Sequence, residues 1–112
     1  MKKIIFFAFR GEPMCFGHVM LNALDMYEKG YDVKIVLEGE AVKIPKLFEK
    51  KDNKLYLKIL EKKIFEGVCK ACSQQMGVLD FNEKSGIPLL GDMNGHPSME
   101  KYINEGYEII IL

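Results

Sequence analysis

The chain has 112 residues, 48% of them hydrophobic and 29% charged, with no low-complexity tract. That length suits one domain, spanning residues 1–112, and a chain of this size buries roughly 65% of its unfolded surface, enough for a core without covalent staples. Lysine plus arginine equals aspartate plus glutamate at 16 each, so there is no basic footprint for a polyanion and nucleic acid is excluded as an expected partner.

The start, "MKKIIFFAFRGE", imitates a secretory leader, but its apolar run Ile4 to Phe9 stops at Arg10. A leader needs about 7–15 apolar residues and a membrane helix needs roughly 20. The run is therefore expected to be a buried strand, in a cytoplasmic protein that does not use a membrane. "MCFGHVMLNALDMYEKG" follows, with Phe16, Val19, Met20, Ala23, Leu24 and Tyr27 at helical spacing and Gly30 placed to end the helix. "YDVKIVLEG" alternates as a second strand. The segment from Ala41 to Lys63 is expected to hold a short helix and a longer one, the latter over Leu55 to Lys63. "IFEGVCKA" is the third strand, and "CSQQMGV" opens a helix taken to begin near Ser73. "GIPLLGD" is the fourth strand, "HPSMEKYINEG" a helix with Pro97 in its first turn, and "YEIIIL" the last strand.

Apolar strands separated by helices specify an α/β fold with a mainly parallel, five-stranded sheet carrying helices on both faces. Ligands of such sheets bind beyond the carboxyl ends of the strands. All three cysteines and both histidines of the chain fall there: Cys15 and His18 after the first strand, Cys69 and Cys72 after the third, His96 after the fourth. An odd number of cysteines does not fit a disulfide framework. A close pair in a reducing compartment points instead to redox, metal or nucleophilic chemistry.

Cys69 and Cys72 are the sharpest element. A helix amino terminus and the neighbouring Lys70 are both expected to favour the thiolate, and the spacing lets one sulfur reach the other. The plain alternative is a cysteine buried as a small apolar residue. A metal reading uses the same pair. Zinc commonly takes four Cys or His ligands in two close pairs, and Cys15 with His18 makes a second pair, with His96 as a possible substitute. A second Cys-X-X-Cys pair, which would be the strong form of the motif, does not occur. No phosphate-cradling motif is present, so no nucleotide cofactor is expected. Thioredoxin is rejected, because "CKAC" lacks its tryptophan and proline neighbours and follows the third strand.

The loop "GVCKACSQQMGV" resembles the active-site loop of the DsrE/DsrF-like sulfur-relay family. "FFAFRGEPMCFGHVMLNALDMYEKGYDVKIVLEGEAV" and "SMEKYINEGYEIIIL" resemble that family's opening and close, so the resemblance covers nearly the whole chain. It implies a three-layer α/β/α sandwich of the DsrEFH type, assembled as a trimer or hexamer. It also implies sulfane sulfur carried as a persulfide on Cys69, with Cys72 as a resolving thiol, protein partners that donate and accept the sulfur, and no cofactor. The additional thiol at Cys72, with Cys15 and His18 nearby in the pattern, departs from single-cysteine relay members. The reading from a different class is a noncatalytic metal- or partner-binding module using Cys15, His18, Cys69, Cys72 and His96.

Overall fold

A computed structural model describes residues 1–112. Five strands, β1 (Lys3–Ala8), β2 (Asp32–Leu37), β3 (Phe65–Cys69), β4 (Leu89–Leu90) and β5 (Glu108–Ile111), form one sheet in the order β4-β3-β2-β1-β5. Every pairing is parallel. Helix α1 (Pro13–Glu28) joins β1 to β2. A short 3₁₀ turn (Gly39–Lys43), α2 (Ile44–Lys50) and α3 (Lys54–Glu61) join β2 to β3. Two short helices, α4 (Lys70–Gln75) and α5 (Leu79–Glu83), precede β4, and α6 (Glu100–Asn104) precedes β5.

The handedness of crossovers distributes these helices. From β1 to β4 the chain moves in one direction across the sheet, so right-handed connections place α1 to α5 on one face. Reaching β5 requires a return across the sheet, and the same hand then puts α6 on the opposite face. The core divides accordingly. Ile4, Phe6, Ala8, Val33, Ile35 and Leu37 pack under the larger helical layer. Ile5, Phe7 and Val36, on the other face, pack with Tyr102 of α6 and Tyr107. The result is a three-layer α/β/α arrangement with one thick and one thin helical layer. No helix is long and apolar enough to cross a membrane.

Local differences from the sequence expectations have identifiable causes. In α1 five of the six periodic positions are buried, while Tyr27 is 39% exposed at the end of the helix. The third-strand helix starts at Lys70 rather than near Ser73, because Cys69 itself is its N-cap. It stops at Gln75, and Gly77, at φ 74°, turns the chain into the separate α5. The fourth strand shrinks to Leu89–Leu90 at the sheet edge, where Pro88 cannot donate to a ladder and instead accepts from Val68 N–H at 2.8 Å. Helix α6 begins only at Glu100, because residues 93–96 form a tight turn and Pro97 lies before the helix.

Gly67 in β3 is required by close approach. A Cβ there would sit 2.3 Å from the Leu90 side chain on β4. The absence of that atom lets the two strands whose loops carry Cys69 and His96 lie side by side.

Candidate metal and thiol site

Adjacent strands whose connections leave toward opposite faces open a crevice between their carboxyl ends. Here β3 leads to α4 on the thick layer, and β4 leads to α6 on the thin one, so the topological switch point lies at the β3/β4 end. Three loops meet there.

The first is the β3–α4 junction. Cys69 ends the strand in an extended conformation, φ −62° and ψ 123°, and its Sγ accepts from Cys72 N–H at 3.4 Å. A sulfur thus does the capping task of a serine or aspartate oxygen. Behind it, Ser73 Oγ donates to Cys69 C=O at 2.7 Å. Asn82 Nδ2 donates both to Ser73 Oγ and to Val42 C=O, each at 2.9 Å. Ser73 and Asn82 are fully buried, so this chain of bonds fixes α4 to the segment that follows β2.

The second loop is the turn that carries His96. Asn94 and Gly95 take φ 51° and 90°, and Met93 and His96 exchange backbone bonds of 2.7 and 2.9 Å. Two consecutive positive φ values make this a type I′ turn, which Asn-Gly favours. Gly95 C=O accepts from Ala71 N–H at 2.9 Å, docking the turn onto α4. His96 Nδ1 consequently lies 3.1 Å from Cys69 Sγ and 3.8 Å from Cys72 Sγ.

The third is the end of β2, where Glu38 N–H donates to Ala8 C=O at 2.9 Å. Its side chain turns inward, leaving the residue 7% exposed. One donor atom each from Glu38, Cys69, Cys72 and His96 all lie within 4.8 Å of one another.

Burial governs the electrostatics. It raises the Glu38 carboxyl above its ordinary range, opposed by nearby His96. Burial also pushes the Cys69 thiol up to about 12, the N–H of Cys72 pulling the other way without prevailing. The expectation of a thiolate favoured by the helix terminus and Lys70 is therefore corrected: α4 has six residues, Lys70 is exposed, and desolvation wins. Without a counter-charge, Cys69 is a thiol that donates toward Gly95 C=O at 3.7 Å or toward His96.

Of the residues singled out in the sequence, Cys69, Cys72 and His96 come together. Cys15 and His18 do not join them. They lie at the start of α1, beside Arg10, lining an apolar cavity of about 630 Å³ with Phe9, Ile111 and Leu112 at the β1/β5 end. The pairing of Cys-X-X-His with Cys-X-X-Cys is thus replaced by one in which Glu38 completes the set. Its position after the second strand is legible in "VLEGE", but an inward-turned carboxylate is not.

The three cysteines are free thiols, Cys69 buried and Cys72 partly exposed.

No protein-family model matches the chain. It is 38% identical over 95 residues to the uncharacterized protein MJ0733 of Methanocaldococcus jannaschii, a match covering 85% of this chain and 78% of that one. Shorter matches to two uncharacterized proteins of Archaeoglobus fulgidus run at 39% identity over 44 residues and 44% over 36. They cover 39% and 32% of this chain, and 72% and 97% of those proteins. Among solved structures, BT1422 of Bacteroides thetaiotaomicron, a conserved protein of unknown function, superposes with a TM-score of 0.66. It is 18% identical, over 98% of this chain and 95% of that one, a likeness of fold. The chain belongs to the same family as MJ0733 of Methanocaldococcus jannaschii.

Proposed function

We propose that the protein binds one divalent transition-metal ion, zinc by its donor chemistry, through Glu38, Cys69, Cys72 and His96. The observation that carries this reading is the convergence of four donor atoms from three loops within 4.8 Å. A tetrahedral zinc ion with its usual bond lengths spaces its ligand atoms roughly 3.3–3.8 Å apart. The His96 Nδ1 distances to the two sulfurs, 3.1 and 3.8 Å, need only small adjustment to reach that range. Thiolate and imidazole together select zinc over the hard cations magnesium and calcium.

The electrostatics agree. Ionising a buried carboxyl and a buried thiol is costly unless a cation compensates the charge, and burial accordingly raises both groups toward their neutral forms. A dication supplies that charge and deprotonates the thiols outright. Four protein donors fill a tetrahedral ion and leave no position for an activated water, so the ion serves structure, storage or exchange rather than hydrolysis.

The test is elemental analysis of protein purified without chelator and after zinc addition. One zinc per chain is expected. Cys72→Ser and His96→Ala should lose it, while Cys15→Ser and His18→Ala should keep it. A zinc content unchanged in Cys72→Ser and His96→Ala would refute the site.

A second reading uses the same sulfurs without metal, and the proximity of both thiols to one imidazole favours it. The DsrE/DsrF-like resemblance implies Cys69 as the carrier and Cys72 as the resolving thiol, and the geometry adds His96 as acceptor of the Cys69 proton. The Cys69 thiolate attacks the outer sulfur of a donor persulfide and the donor thiolate leaves. Cys72 then attacks the inner sulfur of the Cys69 persulfide, releasing hydrosulfide and leaving a Cys69–Cys72 disulfide, or assists transfer to an acceptor thiol. Chelated protein incubated with a persulfide donor should gain one sulfur per chain, mapped to Cys69. A Cys69→Ser variant that loads equally would rule this out.

A further inference from the structure

The two sulfurs of the cluster belong to one turn of helix. Cys69 is the N-cap of α4 and Cys72 stands three residues on, its N–H bonded to the Cys69 sulfur. Cα atoms so spaced along a helix are about 5 Å apart. A disulfide requires roughly 4.4–6.8 Å. The spacing that presents both sulfurs to one ion therefore also lets them bond to each other with the backbone in place. The third thiol, Cys15, lines the separate β1/β5 cavity.

Solvent access is unequal. Cys72 is partly exposed, whereas Cys69 is 0% exposed. An oxidant thus meets Cys72 first and leaves Cys69 to attack from inside. Both soft, anionic donors of the set lie in this one pair. Converting it to a disulfide leaves only the His96 imidazole and the Glu38 carboxylate, half of a tetrahedral shell.

We infer that the site is a redox-controlled metal site, in which a hydroperoxide joins Cys69 to Cys72 and expels the ion. The inference rests on the metal reading above. In the first step the Cys72 sulfur attacks a peroxide oxygen. An S–O bond forms, the O–O bond breaks, and hydroxide leaves, taking a proton from solvent. In the second, the Cys69 thiolate attacks the Cys72 sulfur. The S–S bond forms, the S–O bond breaks, and a second hydroxide leaves and is protonated. The two sulfurs have together given up two electrons, one hydrogen peroxide has become two waters, and zinc departs with its charge unchanged. A dithiol reductant reverses the change by thiol–disulfide exchange and restores the ligands.

The experiment titrates the zinc-loaded full chain with hydrogen peroxide. Released zinc is followed with a chromogenic chelator, and the chain is mapped by mass spectrometry. The expected result is one zinc released per disulfide formed, with Cys69 and Cys72 linked and the chain lighter by two hydrogens than its reduced, metal-free form. Dithiothreitol should restore full zinc binding, and Cys15→Ser should behave as wild type. The exposed Met1, Met14 and Met93 report the peroxide dose. Zinc retained after these methionines are oxidised would overturn the inference. So would zinc released with sulfinate or sulfonate on Cys72 and no disulfide. A reduced chain that takes up no zinc before any peroxide is added defeats the metal reading itself, so the two failures are distinguishable.

Discussion

Replacing Asn82 with alanine should destabilise the protein by about 2 kcal/mol and weaken the proposed metal site without removing any of its four candidate ligands. Asn82 is fully buried, and its amide donates to Val42 C=O and to Ser73 Oγ. Truncation leaves the Val42 carbonyl without this donor, at a cost of about 1–3 kcal/mol, and removes one bond to Ser73, worth about 0.5–1.5 kcal/mol. Ser73 keeps its own bond to Cys69 C=O, so its hydroxyl is not orphaned. The Asn82 Oδ1 has no partner, and deleting it returns on the order of 1 kcal/mol. With a urea slope of about 1–2 kcal/mol/M, the midpoint of chelated protein should fall by about 1–2 M at unchanged slope. Because these bonds join α4 to the segment after β2, the elements holding Cys72 and Glu38 should come loose from each other, and zinc affinity should fall as well. A midpoint within about 0.3 M of wild type, with zinc affinity intact, would refute the claim that this buried amide ties the ligand-bearing loops together.

Three further outcomes are expected. Gly67→Ala places a Cβ 2.3 Å from Leu90, and the overpacking should cost about 1–3 kcal/mol in chemical denaturation; a variant as stable as wild type means β4 yields freely. Zinc at about 100-fold over its Kd should stabilise the chain by about 2.7 kcal/mol, roughly 10 °C in Tm by calorimetry. A Tm that does not respond to zinc or to chelator counts against the site. In metal-free protein, Cys69 is pushed from 9.0 up to about 12, so as pH rises the unfolded chain loses this proton first. Stability should therefore decline between about pH 9 and pH 12, relative to Cys69→Ser, in denaturation series across pH; parallel curves for the two proteins would refute the raised value.

The parallel sheet was legible because β1 is a continuous apolar run covered on both sides and β2 alternates through Val33, Ile35 and Leu37, and the alternation of such strands with helices makes a recognisable pattern. What was not legible turned on single contacts. Nothing in "GIPLLGD" shows that only Leu89 and Leu90 pair, since that depends on Pro88 lying at an edge. The break of the third-strand helix at Gly77 needed its positive φ. At the site, Cys69, Cys72 and His96 were readable from their strand-end positions, because parallel topology gathers such residues at one edge whatever their separation in sequence. That rule selects an edge and not a place along it. It therefore grouped Cys15 and His18 with the others, although they follow β1, two strands away from β3. It also gave no reason to prefer Glu38 over Glu40, which differ in that Glu38 is buried and Glu40 exposed.

Burial also separates the two readings of the thiol pair. A sulfur carrier must bring its sulfur into contact with thiols of other proteins, and a thiol at 0% exposure in Cys69 does this only after its loop opens. A metal ligand has no such requirement and gains from dryness, because a low-dielectric surround strengthens every ion–ligand attraction. The same burial that holds Cys69 as an unreactive thiol thereby becomes favourable once an ion is present. His96 fits either role, as proton acceptor or as ligand. Glu38 does not. A carboxylate beside a persulfide-forming thiol opposes the thiolate, and it is among the influences that raise Cys69. Beside a dication it adds attraction. The residue that the sequence did not single out is thus the one that tips the balance toward metal.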